Sequence, residues 1–104
     1  MLTVIETPIF RSYAASVWSQ LEVEKFIDWI ACNPDCGDVI AGAGGLRKVR
    51  WGRAGVGKRG GVRVIYFNRT TRDEIVLIVV YAKAKFDNLP AEVLLQWKQE
   101  FDHG

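Results

Sequence analysis

Apolar residues change their period several times along the chain, and each change predicts an element. Leu2, Val4 and Ile5 make a short β-prone start that ends at Thr7-Pro8, because proline restricts the residue before it and lacks an amide donor. Ile9, Tyr13 and Val17 then recur at helical spacing. Ser19-Gln20-Leu21-Glu22 has the form of a capping box, in which serine and glutamate serve opposite orphan amides at a helix start. The helix that follows, over 20–31, places Val23, Phe26, Ile27 and Ile30 on one face, and Asn33-Pro34 stops it.

Residues 37–45, GDVIAGAGG, hold four glycines and read as a flexible connection. Leu46, Val49 and Trp51 give an apolar background to a strand-like stretch whose other positions are mostly basic. Residues 52–61, GRAGVGKRGG, hold five glycines and predict a long mobile loop. Two strong β-type runs follow, 62–67 and 75–81, and read as an antiparallel hairpin. The second is apolar on consecutive positions, as in a central strand covered on both faces. After Asp87-Asn88-Leu89-Pro90 a last helix carries Leu94, Trp97 and Phe101 at i, i+3 and i+7, with Pro90 suited to its first turn. The order β-α-α-β-β-β-α predicts an α+β fold, a small antiparallel sheet with two N-terminal helices and one C-terminal helix. With the helices on one side, the opposite sheet face would be free to display Arg and Lys.

Length and composition narrow the class. One compact domain over 1–104 fits 104 residues, and 49% hydrophobic with 25% charged residues describes a chain that folds without staples. The longest apolar run, 75–82, is too short to cross a bilayer, and MLTVIETPIF lacks the pattern of a signal peptide, so a cytoplasmic location is expected. Cys32 and Cys36 stand at C-x3-C spacing without a second ligand pair, and His103 is the only histidine; free thiols are expected, and no metal or other cofactor.

Charge changes the picture more. Residues 39–72 contain nine Lys or Arg and no Asp or Glu, whereas the rest of the chain contains five basic and twelve acidic residues. Arg47, Lys48, Arg50, Arg53, Lys58, Arg59 and Arg63 are seven cations within seventeen residues. A solvated face normally mixes signs, so a polyanionic partner is the economical explanation, and a nucleic-acid backbone is the expected one. In a strand, Lys48 and Arg50 point to the same side, and pairing with the next strand would bring Arg63 near them. Three cations converging on one phosphate resemble a transition-state clamp. Lys83 and Lys85 either extend this surface or simply keep it soluble. GVGKRGG is not a Walker loop, because it lacks the GxxxxGK[ST] pattern. Tyr66, Phe67, Tyr81 and Trp51 are candidates for base stacking, with sheet packing the plainer alternative. No general-acid and general-base pair stands out, since Asp73 and Glu74 border a turn and His103 lies beside the terminus.

GGLRKVRW, then GRAGVGKRGG, VRVIYF and VLIVVYAKAKFDNL resemble, in order, the pattern of the RelE/HigB superfamily of toxins from bacterial type II toxin–antitoxin pairs, closest to the HigB2-type branch. The resemblance implies a RelE-like fold and a ribosome-dependent endoribonuclease, an mRNA interferase that cuts translated message in the ribosomal A site and so inhibits translation. It also implies a cognate HigA-like helix-turn-helix antitoxin, the ribosome and mRNA as partners, and indirect operator DNA binding through the antitoxin, with no membrane involved. Lys48, Arg50 and Arg63 match the family's catalytic basic positions; Arg47, Arg53, Lys58, Arg59, Lys83 and Lys85 would bind RNA or the ribosome. Ala84 stands where the RelE branch has an arginine, and no residue of the C-terminal region matches that branch's catalytic tyrosine. Two other readings stay open. The cations would serve equally in a noncatalytic nucleic-acid or protein interaction domain, and the ParE branch, a gyrase inhibitor, shares the implied fold.

Overall fold

The structure is a computed structural model, and it describes residues 2–52, 61–82 and 89–103. In chain order the elements are β1 (Thr3–Glu6), α1 (Pro8–Val17), α2 (Gln20–Cys32), β2 (Asp38–Val39), β3 (Arg47–Trp51), β4 (Val62–Arg69), β5 (Glu74–Tyr81) and α3 (Ala91–His103). The fold is α+β, with one five-stranded sheet in the order β1-β5-β4-β3-β2.

Both N-terminal helices begin on side-chain caps. The Thr7 hydroxyl accepts from the Phe10 amide at 3.1 Å ahead of α1, and Pro8 fills the first helical turn. The Ser19 hydroxyl accepts from the Glu22 amide at 3.2 Å ahead of α2, which buries Val23, Phe26 and Ile30. β4 and β5 are joined by the single 3-10 turn Thr70–Arg72 and by Asp73, whose φ of 54° lies in the left-handed region that Asp tolerates.

The structure departs from the sequence expectation in three places. First, the sheet is mixed, because β1 returns beside β5 in parallel register, with Val4 opposite Ile75 and Ile5 opposite Val76. Second, the glycine-rich connection contains a strand: Asp38 and Val39 pair with Lys48 and Arg47, and the following turn closes where the Ile40 amide donates a hydrogen bond to the Leu46 carbonyl at 2.8 Å. Positive φ at Gly42, Gly44 and Gly45 lets so short a segment reverse, which is why glycines read as looseness mark a fixed turn.

Third, helices cover both sheet faces. On one face α1 and α2 supply Phe10, Ala14, Val23, Phe26 and Ile30 to a core shared with Val49, Val64, Tyr66 and Leu77. On the other, Leu94 of α3 is buried among Leu46, Ile65, Val76 and Val79, with Trp97 and Phe101 packed alongside. Leaving that face open would have exposed a row of Ile and Val side chains, each costing about 1.5–3 kcal/mol of lost burial. The cations are therefore left the part of the face beside the ends of the central strands.

Candidate functional site

The site is built by register. Arg50 of β3 is the direct partner of Arg63 of β4, and Lys48 is the partner of Ile65, one step along the same face. Side chains alternate, so Val49 and Trp51 turn to the α1–α2 core while Lys48 and Arg50 turn to the α3 side, where Arg63 joins them between Val62 and Val64. Directly opposed side chains in such a ladder lie about 5 Å apart at Cβ and diagonal ones about 7–8 Å apart, so one phosphate can lie within reach of all three cations. Arg50 is exposed, and Lys48 and Arg63 are half-buried. Among the described residues no carboxylate pairs with Lys48 or Arg50, since the ion pairs there are Arg47 with Asp35 and Arg69 with Glu74. Like charges placed opposite one another destabilise a sheet, which an anion bound between them would relieve.

The strand ends open outward. A cavity of about 300 Å³ is lined by Arg50, Trp51, Gly52 and Gly61. A larger one of about 580 Å³ lies at the α1–α2 junction and is lined by Glu6, Arg11, Trp18 and Gln20; none of the three clustered cations borders it. Gly52 and Gly61, which line the smaller opening, are the described residues on either side of 53–60, and Ala82, one residue beyond β5, is the last described before 83–88. Arg53, Lys58, Arg59, Lys83 and Lys85, predicted as RNA contacts, lie outside the described residues.

Arg47 is on the opposite face from Lys48 and Arg50. Its guanidinium donates to the Gly37 carbonyl at 2.8 Å and stands 3.7 Å from the Asp35 carboxylate, so it ties β3 to the segment after α2. The aromatic candidates are likewise engaged. Trp51 packs against Trp29 at 4.9 Å and Phe26 at 5.5 Å between ring centroids. Phe67 lies beneath the Lys98 ammonium, 5.1 Å from the ring centre. Tyr66 is buried, its hydroxyl accepting from the Gly37 amide at 2.9 Å and donating to the Pro34 carbonyl at 2.8 Å. Burial pushes its pKa up, beyond what the bond from Gly37 offsets. Tyr81 is the direct partner of Arg63 on β5, a proximity that the sequence pattern did not show. Cys32 and Cys36 are exposed free thiols, and among the described residues no group of His, Cys, Asp and Glu could hold a metal ion.

The fold is similar to that of solved RelE toxin structures. The structure is similar to the RelBE2 toxin–antitoxin complex of Mycobacterium tuberculosis, with a TM-score of 0.64 and 17% identity over 79% of this chain and 98% of that one. It is similar to the free state of a mutant E. coli toxin RelE, with a TM-score of 0.65 and 11% identity over 93% of this chain and 96% of the other. The isolated E. coli RelE toxin matches with a TM-score of 0.61 and 11% identity over 97% and 99% of the two chains. No protein-family model matches the sequence. Likeness at this identity establishes the fold, and no helix among the described residues is long and apolar enough to cross a membrane.

Proposed function

We propose that this chain is a ribosome-dependent endoribonuclease toxin that cleaves translated mRNA in the ribosomal A site. The observation that carries the reading is the opposed pair Arg50–Arg63 with Lys48 on the same face, on a RelE-like sheet. In the proposed step the 2′-hydroxyl of the message attacks the adjacent phosphorus, the new O–P bond forms and the bond to the 5′-oxygen breaks. The products are a 2′,3′-cyclic phosphate and a 5′-hydroxyl. A proton leaves the attacking hydroxyl and one is delivered to the departing oxygen, with Lys48 taking part in that transfer. Arg63 offsets charge on the phosphorane, and exposed Arg50 orients the scissile phosphate. The ribosome holds the message in line for attack, which relieves the toxin of the need for a strong base of its own.

The RelBE2 structure is a toxin–antitoxin complex, which supports a cognate antitoxin for this chain also. A HigA-like helix-turn-helix protein is the proposed partner, and it would bring operator DNA indirectly. The test is translation of a defined message on purified ribosomes with cleavage read by primer extension. Ribosome-dependent cuts that fall about 10²–10³-fold in Arg63→Ala are the expected result. Intact message under conditions of ribosome binding overturns the proposal, and inhibited DNA supercoiling with unaffected translation would move the chain to the ParE-like function.

A further inference from the structure

The row Arg50–Arg63 has a third member, because Arg63 pairs with Tyr81 on its other side. Alternation alone would not place Tyr81 there. Ile75 and Leu77 belong to the α1–α2 core and Val76 and Ile78 to the α3 core, so continued alternation would send residue 81 toward α1 and α2. The ladder skips instead. Ile65 pairs with Val79 and Tyr66 with Leu77, which leaves Ile78 as an extra residue. Ile78 and Val79 both side with α3, the phase reverses, Val80 turns to the α1–α2 core and Tyr81 joins the face of Arg63. Bulges of this kind re-aim side chains at the cost of local pairing. Here the extra residue is braced: the Thr7 hydroxyl donates to the Leu77 carbonyl at 2.8 Å and lies 3.2 Å from the Ile78 carbonyl.

We propose that Tyr81 is a positioning residue that holds the guanidinium of Arg63 toward the phosphate; this rests on the nuclease reading above. Tyr81 is 2% exposed, and its same-face neighbours along the two strands, Ile65 and Val79, are apolar, so among these ladder neighbours Arg63 is the polar group beside its ring. A phenol oxygen can accept from a guanidinium, which carries five donors and no acceptor, so a tyrosine beside an arginine on one sheet face can orient it. The neutral phenol orients the cation without cancelling its charge. A carboxylate at position 81 would orient Arg63 equally well but would neutralise the charge that the phosphorane requires. At 2% exposure Tyr81 acts through Arg63 and not on the RNA.

The experiment combines single-turnover cleavage on programmed ribosomes with an NMR measurement of the Arg63 side chain. Tyr81→Phe keeps the ring, and is expected to leave the circular dichroism spectrum and ribosome affinity unchanged while slowing cleavage about 10–100-fold. In an Arg63→Lys background, which lacks the planar fork, Tyr81→Phe is expected to add no further loss. The Nε–H resonance of Arg63 is expected to shift in Tyr81→Phe. Wild-type cleavage by Tyr81→Phe, an equal loss in both backgrounds, or an unmoved Nε–H resonance would each overturn the positioning role while leaving the nuclease reading in place. Intact message with the wild-type protein would overturn both.

Discussion

Tyr66 spends its hydroxyl on two backbone groups from one loop, and that loop holds β2 against the strand carrying Lys48. Removing the hydroxyl in Tyr66→Phe leaves the buried Gly37 amide without its partner and is expected to cost about 1–3 kcal/mol in urea unfolding. The pH dependence has a definite sign. Because burial raises this phenol above the ordinary value of 10.0, its contribution is complete below about pH 10 and fades as pH rises further. The stability gap between wild type and Tyr66→Phe should therefore be constant from pH 7 to 9 and narrow above 10; a gap that widens in alkali would contradict the burial argument. Gly37 is tied to the same point. A Cβ there would stand 2.8 Å from the Tyr66 hydroxyl oxygen and 3.1 Å from the Lys48 carbonyl, and neither the packed ring nor the backbone yields easily. Gly37→Ala is expected to lose about 1–3 kcal/mol by the same urea measurement.

At the scale of elements, the bulge in β5 is the feature on which the site's composition turns, and Thr7 is the side chain that serves it. Thr7→Val removes the donor to the Leu77 carbonyl and the cap on the Phe10 amide together. A loss of about 1–3 kcal/mol is expected, with slowed cleavage, whereas Ser19→Ala at the α2 cap should lose about 1 kcal/mol and cleave normally. Equal effects of the two on cleavage per folded molecule would separate the bulge from the site. The sequence could not disclose this device. The start of α2 was legible because Ser19-x-x-Glu22 carries its own chemistry, and the hairpin was legible from its β-branched runs, whereas Thr7-Pro8 read only as the end of β1 and its cap on α1 did not show. The consecutive apolar run 75–80 conceals phase, since a residue added to a strand buried on both faces leaves no polar position out of place. For the same reason the pattern defines an apolar face on α3 but not the face of the sheet it meets. Basic residues along β3 identified the cationic strand, but its composition did not disclose that Arg47 would bond to the segment before β2 while Lys48 and Arg50 point away from it.

Over the whole molecule, the acid-free segment 39–72 sits in a chain that is otherwise strongly acidic, although the net charge is only +2. Such a distribution orients the protein toward a polyanion from beyond contact distance, and the attraction is screened by salt. Affinity for single-stranded RNA should fall linearly in log–log form with salt concentration, with a slope of about 0.7 for each phosphate neutralised. That slope separates the cations that meet RNA from those that hold the fold. Arg50→Ala and Arg63→Ala are each expected to shallow it by about 0.7 in fluorescence-anisotropy titrations of a short RNA. Arg47→Ala should leave the slope unchanged and lower stability instead, because its guanidinium is bonded to the Gly37 carbonyl on the other face of the sheet. If all three substitutions shallow the slope alike, the RNA wraps the β2–β3 edge and meets both faces, and the phosphate is not confined to the row that joins Arg50, Arg63 and Tyr81.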